Sequence, residues 1–526
     1  MKRRLFVALL FVFGLIWPII GCGFESKANG PINAAINYSF GETVGGTLTE
    51  NGDEIKYYKV TLDESGHIDI MAHAYVEYVY FYLYDANANE MYRWNPHWNS
   101  TSQVIAFNDS FYLTSGTYYF AIKRDGRRYG SYDIKIDFTS SNETFKEPQG
   151  GNNNTYATAN PVSVGNTTYI GQLAFNDAAD FYRFSIPDSG AVTFNATFNK
   201  LEYVYWKLYD ENGVELLHRN PRWNNTSETT VVQEALHLTA GTYYISVSKD
   251  GSRSGTYSFS LPYTVAGESF KETNGGSNNS LAKACPLEPG KTYTGQIAIN
   301  DDKDFYSFNV AGNSVVINVN ANYHYGDVVV YDANGKELAT EWLSRSWNDV
   351  KGIASLSKRM VLENGTYYLA VAKSNDMGTY TVSVSTLTQE NCPHEYENKV
   401  IPSTYFTEGC TTHTCKWCGK SYSDKITAKN KLGTPALNKY STYGLKKRMR
   451  VQWYSVYDAS GYQVVYSTNK KFKGAKTINV SKNVRYKIVK KLKRNKSYYV
   501  RVRAYVKSGK NKAYSAWSAK KKVKVR

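Results

Sequence analysis

Gly116-Thr117-Tyr118-Tyr119 recurs as Gly241-Thr242-Tyr243-Tyr244 and as Gly365-Thr366-Tyr367-Tyr368, at intervals of 125 and 124 residues. A period of that length exceeds a solenoid repeat and matches a whole globular domain. The centre of the chain is therefore three copies of one module. Other phrases keep the same period. Asn176-Asp177-Ala178-Ala179-Asp180-Phe181-Tyr182 answers Asn300-Asp301-Asp302-Lys303-Asp304-Phe305-Tyr306, and a weaker form with one extra residue runs from Asn51 to Val60. Each copy closes on a glycine, a variable residue and tyrosine: Gly130-Ser131-Tyr132, Gly255-Thr256-Tyr257 and Gly378-Thr379-Tyr380.

Inside each copy the pattern alternates. Tyr243, Ile245 and Val247 would share one face of a strand, as would Tyr257, Phe259 and Leu261. Period two between Gly, Asn and Asp clusters predicts short antiparallel strands. Asp210-Glu211-Asn212-Gly213 and Asp332-Ala333-Asn334-Gly335 predict hairpin turns. The 46 tyrosines suit half-buried strand faces. The expected fold class is all-β: tandem β-sandwiches over 31–140, 141–265 and 266–388.

Each copy resembles the bacterial pre-peptidase C-terminal domain, a jelly-roll-like sandwich of secreted proteins. The resemblance rests on Asp180-Phe181-Tyr182-Arg183-Phe184, then Leu208-Tyr209-Asp210, then Gly241-Thr242-Tyr243-Tyr244 through Gly255-Thr256-Tyr257. It implies an accessory, non-catalytic module. It also implies calcium at the junctions between copies. Glu143 and Glu147 precede Gly150-Gly151-Asn152-Asn153-Asn154, and Glu268 and Glu272 precede Gly275-Gly276-Ser277-Asn278-Asn279. The partners would be Asp177 and Asp180 at one junction, Asp301 and Asp304 at the other. Carboxylates and Asn carbonyls are the hard oxygens calcium requires. Two glycines between the acids and the asparagines depart from the relatives' spacing, so a solvated polar linker stands as the alternative. Copy one has no acidic junction before it, which limits the count to two sites.

The first residues read as an export signal. Lys2-Arg3-Arg4 precede an apolar run from Leu5 to Ile20, and Ile19-Ile20-Gly21-Cys22 resembles a lipobox. Residues 1–22 would then be signal, with Cys22 lipidated and the protein held on the outer face of the membrane; an ordinary cleaved signal would give a secreted protein.

Residues 389–430 carry Cys392, His394, Cys410, Cys415 and Cys418. A Cys-x-x-Cys turn closed by Gly419 offers two thiolates, and Cys392 with His394 or Cys410 could complete a tetrahedral zinc site. An element this small needs such a staple. Disulfides and a redox dithiol remain the competing readings. The segment resembles small zinc-ribbon-like modules of Gram-positive surface proteins.

Residues 431–526 resemble a fibronectin type III domain: a core Trp in Val451-Gln452-Trp453, and Leu492 six residues before Tyr498 as in a tyrosine corner. This segment holds 28 Lys and Arg against one acid, Asp458, so it carries +27 of a net +17 and the rest of the chain is acidic. Such a polycation attracts polyanions. For an exported protein these are cell-wall polymers and anionic glycans, not nucleic acid. The alternative is a solubilising face.

A Trp-Asn pair also keeps the period: Trp98-Asn99, Trp223-Asn224 and Trp347-Asn348. The first two follow an Asn-Pro turn, and Arg222 precedes Trp223. Exposed indoles stack on sugars or peptides, whereas buried ones would plug the sandwich. No metalloprotease, nucleophile-elbow or phosphate-loop signature occurs. The expectation is a non-enzyme: an exported surface protein whose copies bind extracellular glycan or protein. The alternatives are a structural spacer or an accessory subunit of a secreted hydrolase.

Overall fold

A computed structural model describes residues 32–50, 55–251, 253–312, 314–345, 352–374 and 376–526. The signal segment with Cys22, and the Trp347-Asn348 pair, lie outside the described residues. The chain is all-β, interrupted among the described residues only by short 3-10 turns. It divides into two compact units: Met1–Phe308 with Asn318–Leu356 and Tyr367–Ser383, and Asn309–Ile317 with Ser357–Thr366 and Val384–Arg526.

In the first unit, copy one pairs Ile36–Asn37, Ile55–Leu62, Gly116–Arg124, Val79–Tyr84 and Glu90–Trp94 in one sheet. A second sheet orders Thr43–Leu48, Gly130–Ser140, Gly66–Ala74 and Ile105–Leu113. Copy two repeats both orders, with Ala179–Ile186, Gly241–Lys249 and Val204–Tyr209 central in one sheet and Gly255–Leu261 and Gly190–Asn199 central in the other. Copy three follows the same plan. The period of two is visible in burial, since Gly190–Asn199 alternates buried and half-buried at every position. The buried faces meet in one core per sandwich, for example Phe194, Trp206, Ile245 and Phe259 in copy two.

The recurring phrase is a strand start. Tyr118 and Tyr243 are buried, and each hydroxyl donates to a carbonyl four residues back, Thr114 O at 3.0 Å and Thr239 O at 2.8 Å. The predicted hairpin turns form, with Gly213 N–H donating to Asp210 O and Gly335 N–H to Asp332 O.

Successive copies in this unit meet through the same bonds. Gln172 Nε2 donates to Leu113 O at 2.9 Å, and Gln296 Nε2 to Leu238 O at 2.9 Å. Phe175 N–H donates to Tyr112 O, and Ile299 N–H to His237 O. The Phe175 ring packs edge-on against Tyr92 and Phe111. The sequence period therefore describes a repeated junction as well as a repeated fold.

In the second unit, Tyr396–Ile401, Gly409–Cys415 and Ser421–Thr427 form a three-stranded antiparallel sheet. The basic segment forms a sandwich with Tyr443–Leu445, Arg448–Gln452 and Tyr486–Lys490 on one side. Lys476–Ser481, Gly461–Ser467, Ser497–Ser508, Asn511–Tyr514 and Lys521–Lys524 form the other. Trp453 fills its core at 2% exposure, and the Tyr498 hydroxyl accepts the Lys493 N–H at 3.1 Å, the expected corner.

Candidate metal centres

Two buried acid cages stand at the junctions of the first unit. In one, Glu147 from the linker meets Asp177 and Asp180, with ligand atoms within 4.8 Å of one another. In the other, Glu272 meets Asp301 and Asp304 in the same way. All six carboxylates are at most 4% exposed. The linker asparagine is buried with them: its carbonyl holds the adjoining strand, Asn153 O accepting from Phe181 N–H and Asn278 O from Phe305 N–H.

The two glycines that break the relatives' spacing are required here. Gly151 has φ +76, and a Cβ on it would lie 2.5 Å from Asn154 Oδ1 and 2.7 Å from Asp177 Oδ1. Gly276 has φ +93, and its Cβ would meet Asn279 Oδ1 and Asp301 Oδ1 at 2.4 and 2.7 Å. Only a glycine lets the linker turn this close to the cage.

The carboxylates are buried among like charges. Glu147 Oε2, Asn153 Oδ1, Asn154 Oδ1, both Asp177 oxygens and Asp180 Oδ1 have no donor in hydrogen-bonding geometry, although they are buried. Glu272 Oε2, Asn278 Oδ1, both Asp301 oxygens and Asp304 Oδ1 repeat the pattern. Burial, then the Asp177 and Glu143 charges, push Glu147 up to about 8. Burial raises Asp177 to about 6 against the pull of Lys249. Asp180 and Asp304 are pushed well above the carboxylate range by burial and by the neighbouring acids. Buried carboxylates without donors are costly unless a cation neutralises them. Three carboxylates with ligand atoms this close supply the hard oxygens that calcium prefers.

Glu143 and Glu268 stand just outside the triads. Each is raised to about 7, by burial first, and each feels the charge of Asp177 or Asp301 respectively. Sequence reasoning missed Lys249 and Lys373. Their Nζ groups donate to carbonyls of the loops that carry the cage acids, Ala174 with Phe175 and Ala298 with Ile299. It also treated Tyr257 and Tyr380 as scaffold alone, although each hydroxyl donates to a cage aspartate at 2.5 Å.

The second unit brings Cys392, His394, Cys415 and Cys418 together, again with ligand atoms within 4.8 Å. Cys392 Sγ lies 3.7 Å from Cys415 Sγ, and Cys418 Sγ lies 3.3 Å from His394 Nδ1. A tetrahedron with metal–sulfur bonds of about 2.3 Å has sulfurs about 3.8 Å apart. Gly419, at φ +70, closes the turn by donating its N–H to Cys415 O at 3.0 Å. Burial pushes the Cys415 thiol up, but N–H groups of Cys418 and Trp417 and the His394 ring outweigh it and bring it to about 5. Cys410 is not brought to this cluster. The strand register sets it opposite Ile401, while Cys415 faces Tyr396, so the two lie about 17 Å apart along the strand.

The Trp-Asn pairs divide. Asn99 Oδ1 accepts the N–H groups of Thr101 and Ser102, and Asn224 Oδ1 those of Thr226 and Ser227. These bonds close the loop, which accounts for the recurring Asn. Trp98 and Trp223 are both half-buried, and Trp98 packs on the first core. Arg222 is exposed.

No known family profile matches the chain. It is 25% identical over 285 residues to collagenase ColA of Clostridium perfringens, which covers 48% of this chain and 24% of the relative. The chain therefore spans about a quarter of that relative's length. Among solved structures it is similar to the pre-peptidase C-terminal domain of a collagenase from Bacillus anthracis, 24% identical over 20% of this chain and 93% of that one, at a TM-score of 0.17. It is also similar to the chicken CNTN1 FN1–FN3 domains, 12% identical over 69% of this chain and 99% of that one, at a TM-score of 0.17.

Proposed function

We propose that this is a non-catalytic, exported surface protein whose sandwiches, stapled by divalent cations, bind extracellular glycan or protein, and whose basic end contacts cell-wall polyanion. The observation that carries the reading is the pair of buried acid cages, one at each junction between copies. Calcium at Glu147, Asp177 and Asp180, and at Glu272, Asp301 and Asp304, would neutralise them and fix one sandwich against the next. Asn153 and Asn278 would add carbonyl oxygens. A fixed orientation suits a protein that presents surfaces to a partner, because less freedom is lost on binding.

Zinc held by Cys392, His394, Cys415 and Cys418 would be structural. Four protein ligands leave no open position for chemistry. The half-buried indoles of Trp98 and Trp223, with exposed Arg222, are the candidate contacts for glycan or peptide. The partial similarity to a collagenase supports an extracellular setting. Cys22 would carry the lipid that holds the chain on the outer face of the membrane.

The test is an array of glycans and matrix proteins probed with the full chain in calcium, with Trp223→Ala as comparison. A ligand retained by the native chain and weakened at least fivefold by Trp223→Ala supports the reading. No ligand above background defeats it and leaves the spacer, which the repeated junction bonds also favour. Mass spectrometry of the mature N-terminus tests lipidation at Cys22; an unmodified terminus elsewhere excludes it.

A further inference from the structure

The basic sandwich carries a stacked row of side chains that its fold does not need for a core. Ser497–Ser508 places Arg501, Arg503 and Tyr505 on one face, by strand alternation. The Arg501 guanidinium lies 4.3 Å from the Phe472 ring centre and 4.3 Å from that of Trp517. Arg503 also lies 4.3 Å from the Trp517 ring centre and meets Tyr514 at 3.8 Å. Tyr514 continues to Tyr505, and Lys512 Nζ caps that ring at 4.5 Å. Cations and rings thus interleave along the strand.

Trp517 is held in this row by its neighbours. Ser515 Oγ accepts the Ala504 N–H at 2.9 Å, and Ser518 Oγ accepts the Val502 N–H at 3.0 Å. The two serines bond the strand on either side of Arg503, and they hold the segment that carries the indole beside both guanidiniums. The row is therefore prepositioned.

Stacking covers the faces of a guanidinium and leaves its edge donors. Arg503 Nε donates to Gln463 Oε1 at 2.8 Å. Arg501 Nε is buried and has no acceptor among the described residues. Among the described residues no carboxylate pairs with either guanidinium. The one acid of 431–526 is Asp458, and it accepts from the Tyr405 hydroxyl. Lys522 pairs with Tyr499, which shares the face of Arg501, and adds a further cation at that end. Two fixed forks beside mobile ammonium groups suit tetrahedral anions repeated along a flexible chain, since each phosphate offers oxygens in more than one plane.

We propose that this row is a binding surface for a phosphodiester polymer, with Arg501 and Arg503 gripping successive phosphates. The inference rests on the reading that the basic end contacts wall polyanion and names the residues responsible.

The test measures retention of the full chain on immobilised poly(glycerol phosphate), with hyaluronate and duplex DNA as parallel arms. Arg501→Lys with Arg503→Lys keeps the charge and removes the forks. Lys487→Gln with Lys490→Gln removes two charges from the opposite sheet. The expected result is a loss of at least tenfold in affinity for the arginine pair and at most twofold for the lysine pair. Equal losses would overturn the assigned row while leaving a diffuse basic contact. No retention of the native chain would overturn both. Hyaluronate or DNA bound more tightly than poly(glycerol phosphate), with the same arginine dependence, would overturn the polymer assignment. Should the arginine variant fail to fold, phenylglyoxal modification of the native chain decides: the polymer is expected to protect Arg501 at least threefold, and absent protection overturns the inference.

Discussion

The Tyr257 hydroxyl donates to Asp180 Oδ2 at 2.5 Å, and Asp180 Oδ1 is left without a donor inside the cage. Tyr380 and Asp304 repeat both features. One oxygen of each aspartate is tied to the fold, and the other would be free for an ion. In copy one the tyrosine pair survives as Tyr58 and Tyr132, 2.8 Å apart. The aspartate does not. Strand register places Lys56 opposite Ile122, where Asp180 stands opposite Val247. A cation of the chain itself occupies the position of the cage acid.

Tyr257→Phe should therefore leave a buried carboxylate oxygen unpaired, at about 1–3 kcal/mol. Urea unfolding with and without calcium measures this. Tyr132→Phe removes the pairing with Tyr58, at about 1 kcal/mol, and should leave the calcium dependence unchanged.

The cages also set a pH dependence in chelator. Glu143 at about 7, Glu147 at about 8 and Asp177 at about 6 lie above their unfolded values, with burial the first cause. The folded state thus holds protons that the unfolded state has released. This stabilisation is complete below about pH 4 and is lost as pH rises through about 6–8. The melting temperature in EGTA should fall across that range. Calcium should remove the fall, because the loaded carboxylates no longer bind protons.

The thiolate cluster predicts one zinc per chain by elemental analysis. Cys415→Ser should abolish it, whereas Cys410→Ser should retain it. A strong chelator should unfold residues 389–430 before the sandwiches, because binding energy of a structural zinc is folding energy.

The indoles should separate by stability. Trp98 packs on the first core, so Trp98→Ala should cost about 3 kcal/mol, at the lower end for large aromatic truncations because it is only half-buried. Trp223→Ala should cost less than about 1 kcal/mol. Differential scanning calorimetry distinguishes them.

Much of this was legible in the sequence. The period of 125 aligned Glu147 with Glu272 and Asp180 with Asp304, and alternation around Tyr243 and Tyr257 gave the strands. Gly151 and Gly276 looked like a departure from the calcium pattern, because a positive φ cannot be read from spacing. Choosing between His394 and Cys410 needed the strand register, which depends on pairing between distant segments. Asn99 and Asn224 looked like ligand groups because a short turn leaves no signature beyond its residue type. The arginine row was hidden because it needs Ser515 and Ser518 to place Trp517 beside a strand other than its own.

Calcium titration of the stripped full chain by calorimetry tests the central claim most directly. At 100-fold over Kd, each site should add about 2.7 kcal/mol of stability. The account predicts saturable binding at two junctions, halved by Asp180→Asn and abolished when Asp304→Asn is added. Absence of binding heat, with a melting temperature indifferent to EGTA, would contradict it.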